Sequence, residues 1–200
     1  MTKIKLCGLR RSEDILVANE LKPDYIGFVF AKKSRRYVSP SEAYRLKSML
    51  APGIEAVGVF VDESVDTVYE YLSRGIVDIA QLHGHEDDDY IRKLKALTDK
   101  PVIKALKVES KEDIEVANQS VADMVLLDGG AGDGKTWEWS LIKCIKRPYF
   151  LAGGLDESNI EEAVNVLEPY AVDVSSGIET DGVKHPGKMK RFVEKVRKVG

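Results

Sequence analysis

Eight short apolar runs, each followed by a stretch with helical spacing, predict an α/β chain folded as a single-domain (β/α)8 TIM barrel over residues 1–200. Two further observations support that fold class. The 200-residue length lies at the lower limit of about 200 for such barrels, which leaves no room for a second domain. Several runs also end in a chemically pointed residue, as expected where strand C-termini form the working face of the barrel.

The expected strands are Ile4 to Cys7, Tyr25 to Phe30, Ala56 to Val61, Ile79 to His83, Val102 to Leu106, Met124 to Asp128, Tyr149 to Gly153 and Ala171 to Ser175. The first helix is expected to start at a Ser12 cap, with Ile15, Leu16, Ala18 and Leu21 on one face. The second opens at Ser39-Pro40-Ser41-Glu42, where proline suits a first turn whose N–H groups have no intrahelical partner. Val65, Val68, Tyr69 and Leu72 mark the third helix, and Gly75 ends it. Asp87, Asp88 and Asp89 start the fourth, placing negative charge at the positive end of the helix dipole. Ser110 and Asp113 open the fifth in capping-box spacing. The sixth is short, from about Ser140 to Ile145, the seventh runs to Leu167, and the eighth spans about Gly187 to Val199.

The bulk numbers narrow the function. A net charge of −3 and a pI near 5.7 argue against nucleic-acid binding, so an anionic ligand has to be held by local groups. No apolar stretch approaches the roughly 20 residues of a membrane span, and no signal peptide is apparent. Cys7 and Cys144 are the only cysteines, which gives no disulfide framework. The expectation is a cytoplasmic protein, monomer or homodimer, acting on a small phosphorylated molecule.

Cys7 closes the first strand and precedes Gly8. It is either a small buried apolar residue or a functional thiol at the barrel mouth. Asp128 follows four apolar residues, where an unpaired buried carboxylate would be costly, but at the mouth its proton affinity is tunable. Gly153-Gly154 and Ser175-Ser176-Gly177 follow the seventh and eighth strands. Loops at these two positions commonly bind phosphate through backbone N–H groups. His83 and His85 form a His-x-His pair without a third ligand at diagnostic spacing, so no metal is expected, although His83 is placed to touch a ligand. Residues 129–136 match G-x-x-x-x-G-K-[ST] letter for letter, but Trp137-Glu138-Trp139 follows where a helix should open. A glycine-rich flap over the mouth is the expected role. Lys32, Lys33, Arg35 and Arg36 crowd the loop after the second strand. One arginine there could reach the mouth to bind a carboxylate or phosphate, which its planar fork suits.

Taken in order, Lys5-Leu6-Cys7-Gly8-Leu9-Arg10, Gly27-Phe28-Val29-Phe30, Lys33-Ser34-Arg35-Arg36-Tyr37-Val38-Ser39-Pro40, Gly58-Val59-Phe60-Val61, Gln81-Leu82-His83-Gly84, Leu126-Leu127-Asp128, Gly134-Lys135-Thr136 and Asp173-Val174-Ser175-Ser176-Gly177-Ile178-Glu179 resemble the phosphoribosylanthranilate isomerase family. These motifs run from the first strand to the last. The resemblance implies an aldose–ketose isomerase of tryptophan biosynthesis that needs no cofactor and works by an Amadori rearrangement. By position, Cys7 resembles the general base, Asp128 the general acid, and Arg36 the residue that holds the anthranilate ring and carboxylate. Asp173 resembles a supporting polar residue at the end of the eighth strand. Other phosphate-binding barrels, such as indoleglycerol-phosphate or thiamine-phosphate enzymes, fit less well because of the Cys7 and Asp128 pairing.

Overall fold

A computed structural model describes residues 1–129 and 139–200. Its elements in chain order are β1 (Lys3–Cys7), α1 (Ser12–Leu21), β2 (Tyr25–Val29), α2 (Pro40–Lys47), β3 (Glu55–Phe60), α3 (Val65–Ser73), β4 (Ile79–Leu82), α4 (Asp88–Lys95), β5 (Val102–Lys107), α5 (Lys111–Gln119), β6 (Met124–Asp128), α6 (Trp139–Ile142), β7 (Tyr149–Ala152), α7 (Ile160–Leu167) and β8 (Ala171–Val174). A 3-10 turn (Ser176–Ile178), the short strands β9 (Glu179–Thr180) and β10 (Val183–Lys184), and α8 (Pro186–Val199) complete it. Strands β1 to β8 pair in order, all parallel, and close where β1 meets β8, from Lys3 opposite Ala171 to Leu6 opposite Val174.

Period-two alternation along each strand sorts side chains between two cores. Outward residues such as Leu6, Ile26, Phe28 and Leu127 pack under the helices, against Ile15, Leu46, Leu72, Leu94 and Phe192. Inward residues Tyr25, Val57, Ile79, Ile103, Leu126 and Phe150 fill the barrel. β1 is the exception. Ile4 and Leu6 face the helices, while Lys3, Lys5 and Cys7 face inward. At the N-terminal end, the Lys3 ammonium sits over the rings of Tyr25 and Tyr170 at 5.4 and 5.2 Å, a cation–π contact that lets a charge close the barrel floor.

Most helix starts follow their sequence signals. Ser39, Ser64 and Asp87 accept backbone N–H bonds from Glu42, Thr67 and Tyr90, and Ser110 with Asp113 forms the capping box. The first helix differs. Arg11, not Ser12, is its cap residue, because Asp14 Oδ2 accepts the backbone N–H groups of both Arg10 and Arg11 at 3.1 Å. That carboxylate satisfies the preceding turn and leaves Ser12 inside the helix. Leu16 and Tyr69 also lie outside the faces expected for them and are solvent-exposed. The β9–β10 hairpin was not expected. It turns on Asp181-Gly182, both at positive φ (52° and 75°), the backbone that an Asp-Gly hairpin turn requires. Among the described residues, no helix is long and apolar enough to cross a membrane.

The two cores give a direct test of depth. Phe192→Ala empties a fully buried site between α8 and the sheet and should destabilise by about 3–5 kcal/mol. At this chain length that lowers Tm by roughly 6–20 °C. Leu16→Ala on the exposed side of α1 should stay within about 0.5 kcal/mol. Thermal unfolding followed by circular dichroism compares them.

Candidate active site

The C-terminal ends of the strands surround a cavity of about 240 Å³. Cys7, Arg36, His83, Asp128, Gly153, Gly154, Asp173 and Ser176 all line it, so residues from six strand ends or their loops converge. Gly177 does not. A methyl built there would collide with the Leu155 carbonyl oxygen, so this glycine lets the turn after β8 lie directly on the turn after β7. Of the stretch read as a flap, 129–136, residues 130–136 lie outside the described residues.

Cys7 sits low in the cavity with Val29 and Val59. Burial pushes its thiol above the ordinary value, while the ammonium groups of Lys5 and Lys184 pull it back down. Gly8 after it has φ +78°. The space beside Gly8 is taken by the Arg36 stem, because a Cβ there would fall 2.5 Å from Arg36 Cδ. Gly153 at φ +92° similarly brings backbone close to Asp128: a Cβ would lie 2.7 Å from Oδ1.

Across the mouth, His83 Nε2 is 3.4 Å from Asp128 Oδ2. The buried Gln81, which was not singled out from sequence, donates from Nε2 to His83 Nδ1 at 3.1 Å. That contact occupies Nδ1 and leaves Nε2 to face the Asp128 carboxyl. Gln81 and His83 flank Leu82, the last residue of β4, and the i, i+2 spacing that puts both on one face was readable in the sequence.

Arg36 is held by a carboxylate of the chain itself. Its Nε and Nη2 donate to Glu179 Oε1 and Oε2 at 2.7 and 2.9 Å. Arg35 Nη2 adds a bond to Oε2 at 3.0 Å, and Lys184 Nζ one to Oε1 at 2.8 Å. Burial pushes the Glu179 carboxyl up, but the Arg36 and Lys184 bonds and charges outweigh it and hold it at about 2. Lys184 also donates to the Ser175 carbonyl at 2.8 Å, and Ser175 Oγ donates to the Cys7 carbonyl at 3.2 Å. Glu179 thus ties the loop after β2 to the end of β8. Sequence reading missed it because its partner Arg36 is 143 residues away. The Asp181-Gly182 turn that positions it was the available signal.

Residues 4–195 match the model of a family described as N-(5'phosphoribosyl)anthranilate (PRA) isomerase. A relative from Thermoanaerobacter sp. (strain X514), an N-(5'-phosphoribosyl)anthranilate isomerase, is 48% identical over 204 residues, covering 98% of each chain. The crystal structure of phosphoribosyl anthranilate isomerase from Thermotoga maritima is similar with a TM-score of 0.89 and 37% identity over 99% of this chain and 100% of that one. A phosphoribosyl anthranilate isomerase solved with reduced 1-(o-carboxyphenylamino)-1-deoxyribulose 5-phosphate is similar with a TM-score of 0.87 and 35% identity, again over 99% and 100% of the two chains.

The Glu179 cluster predicts a pH signature. A carboxyl depressed from 4.5 to about 2 contributes stability that is full above pH 4.5 and lost as pH falls towards 2. Glu179→Gln leaves Lys184 buried without its counter-charge and should destabilise at pH 7 by about 3–5 kcal/mol. Urea unfolding of both proteins should show that gap narrowing between pH 4.5 and pH 2.

Proposed function

Because the chain belongs to the N-(5'-phosphoribosyl)anthranilate isomerase family, we propose that Cys7 and Asp128 are the base and acid of its reaction. The enzyme is an aldose–ketose isomerase of tryptophan biosynthesis. It converts N-(5'-phosphoribosyl)anthranilate into 1-(2-carboxyphenylamino)-1-deoxyribulose 5-phosphate by an acid–base Amadori rearrangement. The observation that supports the assignment is that a single cavity is lined by Cys7, Asp128 and the glycine-containing turns after β7 and β8.

Each proton has a source and a destination. Asp128 gives its proton to the furanose ring oxygen, the C1'–O bond breaks, and an iminium forms to the anthranilate nitrogen. The Cys7 thiolate then takes the C2' proton, leaving an enolamine. The Cys7 thiol then gives a proton to C1' and the Asp128 carboxylate takes the one on the C2' oxygen, which completes the ketone and restores both groups. All three steps need only a positioned acid and base. His83, whose Nε2 lies 3.4 Å from Asp128 Oδ2, supports the Asp128 carboxylate once that residue has given up its proton.

The ends of the substrate are charged, and each has a complementary wall. Arg36 spends Nε and Nη2 on Glu179, so Nη1 and the guanidinium face remain for the anthranilate carboxylate and ring. The fork expected to grip the ligand is instead what fixes the arginine. Gly153, Gly154 and Ser176 offer backbone N–H groups to the phosphate, and Gly177 supports their turn from behind. Asp173 completes the floor. As an enzyme of amino-acid biosynthesis, the protein is assigned to the cytoplasm.

Three variants test these roles, with turnover followed as loss of phosphoribosylanthranilate fluorescence. Cys7→Ala and Asp128→Asn should each lower kcat by about a hundredfold or more while KM changes little. Near-normal kcat in either removes that residue's role. Arg36→Met loses a charge-assisted contact of about 1.5–3 kcal/mol, so KM should rise roughly ten- to a hundredfold. Arg35→Met, on the same Glu179 carboxylate but largely exposed, is the control and should change KM far less.

A further inference from the structure

Lys5 is fully buried, and packing alone does not call for a cation there. A buried ion pair replaced by apolar residues of similar volume often leaves a protein equally stable or more so. Lys5 nevertheless lies inside the barrel, two residues before Cys7 and on the same face of β1. Its Nζ donates to Asp173 Oδ1 at 3.0 Å, and the register of β1 on β8 sets these two residues opposite each other. The thiol lies beside the same ammonium. A Cβ built on Gly27 of β2 would fall 2.7 Å from Cys7 Sγ and 3.2 Å from Lys5 Nζ. The sulfur and the nitrogen therefore border the one space that the missing side chain leaves.

We propose that Lys5 is a positioning residue for the general base: its ammonium, clamped by Asp173, is the fixed cation against which the Cys7 thiol ionises. The proposal rests on the reading of Cys7 as base. Ionisation breaks the S–H bond, leaves the electron pair on Sγ and releases the proton to water, and the thiolate then accepts the C2' proton. Only the thiolate can act as base, and a thiol in an apolar pocket resists ionising. A cation at fixed distance favours the charged form.

The surroundings agree. Burial pulls Lys5 towards its neutral form, but Asp173 and Cys7 outweigh it, so Lys5 remains a cation. The other charged groups that act on Cys7 are Asp173 from β8, which opposes ionisation, and Lys184 from β10, which favours it; Arg36 adds a cation from the loop after β2. The neighbours from β2 and β3, Val29 and Val59, carry no charge.

The test reads the thiol itself. In a Cys144→Ser background Cys7 is the sole thiol, and its alkylation by iodoacetamide is followed against pH alongside the pH profile of kcat/KM. Lys5→Met should move the alkylation midpoint up by at least about one pH unit, slowing the reaction roughly tenfold at pH 7.5. The acid limb of kcat/KM should move with it, and KM should change less than threefold. Asp173→Asn, nearly constant in volume, removes a like charge and should move the midpoint down. Shifts of opposite sign in the two variants support the proposal. An unchanged midpoint in Lys5→Met, or an upward shift in both, overturns it. Should Lys5→Met not fold, Lys5→Gln, which keeps a polar head beside Asp173 and removes the charge, takes its place: an upward shift supports the proposal, and an unchanged midpoint overturns it. Retained kcat in Cys7→Ala removes the base assignment, whereas the alkylation midpoints judge the Lys5–Cys7 pairing independently of it.

Discussion

Strand β1 hydrogen-bonds to β8 along four residue pairs, and this seam both closes the barrel and sets the chemistry of its floor. It places Lys5 against Asp173 and puts the Cys7 carbonyl within reach of Ser175. The inward face of β1 carries two lysines, whereas its neighbour β2 turns Tyr25 and Gly27 inward. That reversal is tolerable only because each inward cation is matched: Lys3 by two tyrosine rings, Lys5 by a carboxylate. A parallel sheet left open between these strands would expose the same groups to water and dissolve the pairing. The site therefore depends on contacts between the first and last strands of the chain.

A second layer of charge sits above the first. Glu179 gathers Arg35, Arg36 and Lys184, so this wall of the mouth carries an excess of cations within a protein whose net charge is −3. A substrate bearing a phosphate at one end and a carboxylate at the other meets a locally positive field, which draws anions towards the mouth. The hairpin that carries Glu179 and Lys184 as direct cross-strand partners is a small insertion after β8, yet it ties the Arg36 guanidinium to the far side of the seam.

The barrel was legible because its strands are apolar runs bounded by turn residues, and the residues that end on its cavity were legible for the same reason. Cys7, His83 and Asp128 stand out by interrupting hydrophobic sequence. Lys5 did not, because Lys3-Ile4-Lys5-Leu6 reads as ordinary alternation with the lysines facing water. Only barrel closure turns that face inward. Glu179 was illegible for a different reason: its meaning lies in partners contributed by a distant loop and by its own hairpin. Ser12 was misread as a cap because its Oγ was weighed without the competing carboxylate of Asp14, which already satisfies the N–H groups ahead of the helix.

The close seating of Gly177 on Leu155 has a kinetic corollary. It joins the turns after β7 and β8 into one preassembled cradle, so little conformational freedom remains to be lost when an anion arrives. Substrate and product carry the same 5'-phosphate. Under the proposed assignment, a cradle this rigid grips both with equal strength and does not help the enzyme tell one from the other. Discrimination, and the departure of the product, then fall to the opposite end of the cavity, where ring opening swings the anthranilate group relative to Arg36. Product retention is the natural weakness of this design, and the Arg36 wall is where it would be relieved.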